Sequence, residues 1–363
     1  MSEELKIEEN DKKLKKEKKE KKKRIRFEWL DQFRGLVIIL FIVQTCAWLF
    51  SGDPANGVMP LMAPALNHGW KYANYARPLI TLIDLGQQIF IFLVGFMQAF
   101  AVLKRKEKGF TDGKIWLHIL KRFVLVMVLS VIHGLAGDSF NSYFIIAHGT
   151  LANIAWAGLA AGIAALYIKD PKYRLISGLG VMLIHSILYM IPSLIAWEAG
   201  SWRFPFLTIN HIAIGLIASA YTLWFLTPKG EINEEGIKKN VLPVTIAFVI
   251  SSYLLDFIQW SDHHYVTTPL AMMAIALSAF SLYAFYHFDL DGFHIPGLTA
   301  FGKNMLMVFL LSMVINELVY FGLIKNLLGL NGIIDMFLLG IVPILLIWIF
   351  AKILEKLNWI IKI

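Results

Sequence analysis

Beyond a charged first stretch, apolar residues run in long blocks separated by short polar loops. A bilayer core of roughly 30 Å needs about 20 apolar residues per crossing helix. On that ruler the blocks predict about ten spans, near 35–51, 79–103, 115–135, 149–168, 174–197, 205–226, 241–260, 266–287, 303–324 and 332–354. The chain shows no internal repeat and no separate soluble domain. The fold class is therefore all-α, a polytopic membrane protein forming a single bundle of about ten transmembrane helices.

Lys and Arg sort by loop. They crowd before the first span and in "KRKEKGFTDGK", "KDPKYR" and "TPKGEINEEGIKKN", whereas "GDSFNSYF", "EAGSWRFP" and "SDHHYVTT" hold only Arg203 between them. By the positive-inside rule this alternation puts both termini in the cytoplasm, with the cell membrane as the natural location. Trp29, Trp48, Trp70, Trp197, Trp202 and Trp260 fall near predicted span ends, where an interfacial aromatic belt is expected.

Composition agrees. Of 363 residues 57% are hydrophobic and 17% charged, against about 25% charged in soluble domains. The net charge of +8 is a local property. The stretch "KKLKKEKKEKKKRIR" carries it and has too few apolar residues to fold alone. Residues 1–26 thus read as a disordered cytoplasmic tail, and 27–363 as one membrane domain. Anionic lipid would attract the tail by about 1 kcal/mol per basic residue; nothing beside it would read a nucleic-acid base. It does not read as a cleaved signal peptide, because more spans follow and no small-residue cleavage site does. The single cysteine, Cys46, lies in the first apolar block, so it reads as a small buried apolar group. GxGxxG, Walker and HExxH motifs are absent from the sequence. His263 and His264 are adjacent, their side chains diverge, and no metal site is expected there.

Polar residues at membrane depth are functional candidates by default. Asp84, Gln87 and Gln88 share one helical face near the start of span two. The loop histidine His68, in "APALNHGWKYANYARP", is the base such a carboxylate would orient. His148, Asn153, Asn210 and His211 stand at the same predicted side of the membrane and would ring a substrate cavity with them. At the opposite side, Asp31 and Arg34 are one helical turn apart and fit an ion pair. Gly35 permits close helix approach. With Gly302, Lys303 and Asn304 these residues form a basic, polar rim that would attract a phosphate-bearing ligand.

The ordered series "LDQFRGLVIIL", "LNHGW", "LIDLGQQIFIFLVGF", "HGTLANIAWAGLAA", "FLTINHIAIGLIASA", "YVTTPLAMMAIAL" and "FGKNMLMVFLLS" resembles the transmembrane acyltransferase superfamily. Within it, the series is most similar to the heparan-α-glucosaminide N-acetyltransferase family and its prokaryotic relatives. The resemblance covers nearly all of residues 26–320. It implies acetyl transfer from cytoplasmic acetyl-CoA to an extracytoplasmic amino sugar or glycan. His68 would be catalytic with Asp84 orienting it, and Arg34, Lys303 and Asn304 would hold the donor. The chain departs from the family at Leu151, Ala152 and Asn153, at Gln44 or Thr45, and at Gln87 and Gln88. A transporter or channel, and an inactive member of the same fold, are the alternatives. Homodimers are common among membrane enzymes, although no segment here marks an interface.

Overall fold

In the computed structural model, residues 27–50, 82–136, 149–194, 206–263, 265–295, 297–314, 333–357 and 359 are described. The expectations for the tail, His68, His148 and His264 lie outside them. The described residues are helical apart from turns and one isolated bridge between Leu226 and Ile232.

In chain order the elements are α1 (Glu28–Phe50), α2 (Leu82–Glu107), α3 (Asp112–Ala136), α4 (Thr150–Tyr167), α5 (Pro171–Tyr189), α6 (Phe206–Phe225), α7 (Glu234–Asp256), α8 (Thr268–Leu290), α9 (Leu298–Lys303), α10 (Met305–Val314) and α11 (Ile333–Lys356). α7 carries a π-type turn at Ile237–Val241. Among the described residues six helices, α2, α3, α4, α6, α7 and α8, are long and apolar enough to cross a bilayer. α1 begins at Glu28, well ahead of its apolar block, so "LDQFRG" is helical rather than a leader to the first span.

Burial sorts these helices. In the most apolar windows of α2 and α6, 78% of residues are buried, against 22% in α3 and 28% in α7. α3 exposes Leu117, Leu120, Val124, Leu125 and Val128, and α7 exposes Ile246, Ile250, Tyr253 and Leu254. Apolar bands of this extent would aggregate in water; against lipid tails they carry no penalty. The chain is a membrane protein.

Apolar burial does not distinguish a neighbouring helix from lipid, so contact inside a bilayer relies on close packing of small residues. The centre of the bundle follows that rule. A Cβ on Gly95 of α2 would stand 3.0 Å from the Cα of Gly215 on α6, and one on Gly215 would stand 2.5 Å from the carbonyl oxygen of Ala157 on α4. Three helices thus meet through small side chains. Thr222 of α6 donates to the Phe96 carbonyl oxygen across the same seam at 3.0 Å.

Trp29 departs from the aromatic-belt expectation. It is 3% exposed, stacked on Phe225 at 6.3 Å and edge-on to Tyr286 at 6.2 Å. It fills the core where α1, α6 and α8 converge. Trp260, 54% exposed, does stand at the surface.

Candidate functional site

Two polar regions stand at opposite ends of the bundle. The first lies where α1 begins. Arg34 donates to Asp31 at 3.1 Å, the expected one-turn pair. Next to Asp31, Gln32 accepts from the backbone N–H of Ile295 at 2.9 Å, and its amide nitrogen meets His294 Nδ1 at 2.9 Å. These bonds fix the segment leading into α9. Gly35 receives the Leu298 carbonyl, and Gly302 of α9 receives the Asp31 carbonyl; a Cβ at either glycine would overlap those backbone atoms. The motifs "LDQFRG" and "FGKN", more than 260 residues apart, therefore dock backbone to backbone.

Beside that junction Arg34 and Lys303 face a cavity of about 110 Å³. Its walls are α2, α3 and α4, through Phe90, Val94, Phe123 and Gly158 among others. A space this size is smaller than a benzene-binding cavity of roughly 150 Å³. It takes a phosphate-sized group and not a whole nucleotide. Lys303 is paired with Glu355, which also accepts from Lys352 at 2.9 Å. Burial works to raise the Glu355 carboxyl, but the hydrogen bonds and charges of the two lysines outweigh it and hold the group below the usual carboxylate range. Asn304 is 2% exposed. It forms the break between α9 and α10, and its carbonyl accepts from Val308 at 2.9 Å.

The second region lies at the opposite end. Asp84 is 3% exposed near the start of α2. Among the described residues, the histidine against it is His263, from the loop between α7 and α8. Its Nδ1 stands 3.8 Å from Asp84 Oδ1 and 3.3 Å from the Asp84 carbonyl oxygen. The loop is delivered by buried polar side chains. Asn210 of α6 donates to the Val266 carbonyl at 2.6 Å, and His185 of α5 meets the Tyr265 carbonyl at 3.2 Å. Val266 has φ +47°, a conformation that strains a β-branched residue; the Asn210 bond helps hold it there.

Asn153 of α4 accepts from Thr208 of α6 at 3.0 Å. His211 is fully buried, and among the described residues neither ring nitrogen has a hydrogen-bond partner. Gln88, in the orientation that satisfies both amide atoms, donates to the Asp84 carbonyl at 2.7 Å, so it is held by its own helix. Gln87 is half-buried.

The sequence grouped Asp84, Gln87, Gln88, Asn153, Asn210 and His211, with His68 and His148, around one cavity. The structure places Asp84, Asn153, Asn210 and His211 at one end of the bundle, and the cavity described above is a separate one. That cavity belongs to Arg34 and Lys303. Sequence reasoning missed His263, judged only as a metal ligand, and Arg122, which stands within an apolar block and lines the cavity. Among the described residues no three His, Cys, Asp or Glu side chains converge as a metal site requires. The chain matches no family model and no curated protein.

Proposed function

We propose that the chain is an acyl-CoA-dependent membrane acyltransferase, moving an acetyl group from a cytoplasmic donor to an amino sugar or glycan outside. The observation that carries this reading is the docking of "LDQFRG" on "FGKN" beside a cavity faced by Arg34 and Lys303. Cations at such a place suit a phosphate ester. A buried carboxylate with histidine beside it, at the other end of the bundle, suits proton transfer. The reading includes ten spans, both termini in the cytoplasm and a place in the cell membrane.

In the reaction, the acceptor amine or hydroxyl attacks the thioester carbonyl carbon. His68 takes its proton, the carbon–sulfur bond breaks, and the proton passes to the departing CoA thiolate. Alternatively His68 accepts the acyl group first and hands it on. Asp84 holds a histidine in the required tautomer, as the orienting carboxylate of a hydrolase triad does. Asn304 contributes a hydrogen bond to the donor.

The test uses the full chain purified into nanodiscs. CoA should raise its melting temperature. Labelled acetyl-CoA should acetylate a member of an amino-sugar and hydroxylated-glycan panel. His68→Ala and Asp84→Asn should abolish transfer and keep CoA binding. Absence of CoA binding defeats the enzyme reading and favours a transporter; full transfer by His68→Ala defeats the catalytic assignment.

A further inference from the structure

Arg122 lies on α3, ten residues after Asp112 and so about 15 Å of helix from its start. It is inside a segment apolar enough to span the bilayer. The outward face of α3 is aliphatic; Arg122 instead lines the cavity that Arg34 and Lys303 also face. Its guanidinium donates from Nη1 to Oε1 of Gln98 on α2 at 2.6 Å. Gln98 is 3% exposed, with its amide nitrogen against Gly162 of α4, where a methyl would come within 3.1 Å. The arginine is therefore aimed by a buried amide wedged between two helices.

The three cations around this cavity are not balanced alike. Arg34 has the Asp31 carboxylate, and Lys303 has Glu355. Among the described residues Arg122 has an amide as its hydrogen-bond partner and no carboxylate, and the cations Arg105 and Arg34 act on it. Arg105 in turn donates to the Ala101 carbonyl and contacts His118, with no carboxylate among the described residues. A charge held at membrane depth without a counter-ion is costly unless a ligand supplies one. A planar guanidinium anchored through one nitrogen has further N–H groups in the same plane that match two phosphate oxygens.

We propose that Arg122, positioned by Gln98, is the primary binding group of a phosphate-ester site in this cavity, with Arg34 and Lys303 on its flank. The apolar walls suit a ligand whose phosphate leads into an uncharged arm or tail. Under the acyltransferase reading the ester is a phosphate of the acyl-CoA, and in that form the inference rests on that reading. The same chemistry is carried by the headgroup of an anionic lipid reaching the cavity from the bilayer.

The test compares the wild-type chain with Arg122→Met, Arg122→Lys and Gln98→Ala, each purified full-length and checked for monodispersity. Thermal shift and equilibrium binding are measured with CoA, pantetheine and inorganic pyrophosphate, and in phosphatidylcholine nanodiscs with or without phosphatidylglycerol. Arg122→Met should weaken CoA and pyrophosphate about 10- to 100-fold, the range for a charge-assisted bond, and leave pantetheine unchanged. Lys should restore part of the loss, and Gln98→Ala should reproduce part of it. If Arg122→Met does not fold, the other two variants carry the comparison. Stabilisation by phosphatidylglycerol but not CoA, lost in the variants, supports the phosphate site with a lipid source while removing the acyl-CoA reading. If none of these phosphates separates the wild type from any variant, the site is refuted, even where CoA binds.

Discussion

Replacing Gly302 by alanine gives the sharpest test of how the two distant motifs meet. In an ordinary helix this change is favourable by up to about 1 kcal/mol. Here the new methyl would fall on the backbone of α1, 2.6 Å from the Asp31 carbonyl carbon and 3.0 Å from its Cα, with the carbonyl oxygen nearer still. Backbone cannot rotate away as a side chain can, so α9 must lift off α1 and disturb the Gln32 bonds to 294–295. Overpacking costs about 1–3 kcal/mol. At the upper end, less the propensity gain, the net loss is about 2 kcal/mol, roughly a 30-fold change in the unfolding constant.

Gly180→Ala is the matched control. It lies on α5 with nothing within 4 Å of the added methyl, and should raise stability slightly. Gly35→Ala presses the same junction from the other side, against the Leu298 carbonyl. One displacement relieves both clashes, so the double variant should lose less than the sum of the single ones. Unfolding followed by tryptophan fluorescence in a single detergent measures all four. Wild-type stability for Gly302→Ala, or equal loss for Gly180→Ala, would refute the backbone docking.

Three further outcomes follow from the geometry. Arg174, fully buried, donates to the Ile168 carbonyl at 2.7 Å and the Ser219 carbonyl at 2.9 Å; Arg174→Met should cost about 3 kcal/mol in the same melts, since bonds from charged donors contribute about 1.5–3 kcal/mol each. Asn210→Ala removes the bond to the Val266 carbonyl and should cost about 1–3 kcal/mol, with faster hydrogen exchange in 261–267 and unchanged exchange in α4. Glu355, held below its usual range in the fold, contributes stability that is present above that range and lost as pH falls through its folded value; Glu355→Gln should flatten the acid limb of a melting-temperature profile, and an unchanged limb would refute the Lys303–Glu355–Lys352 arrangement.

The six candidate spans among the described residues, of the ten expected, were legible because membrane depth forces about 20 apolar residues per crossing. The Asp31–Arg34 pair and the close approach at Gly35 were legible because they depend on local spacing and on a missing side chain. The contact of His263 with Asp84 was not. His263 is 179 positions away and arrives only because Asn210 and His185 bind the backbone of a loop whose conformation has no period. Arg122 was hidden for another reason: one arginine barely lowers the hydropathy of its block, and its inward aim depends on Gln98, 24 positions earlier. Trp29 was misplaced because position near a helix end does not say whether an indole meets headgroups or neighbouring rings.

α3 has the least buried window of the six candidate spans and yet carries Arg122, a wall of the cavity. Its inner contacts run largely to α4, through Phe123 on Trp156 at 4.9 Å; its other side is exposed and aliphatic. With that side against lipid tails, a change in bilayer thickness or lateral pressure should tilt α3 and alter the shape of the charged recess. Moving the chain from 14-carbon to 22-carbon lipids should change pyrophosphate affinity while leaving the Asp84–His263 end as it is.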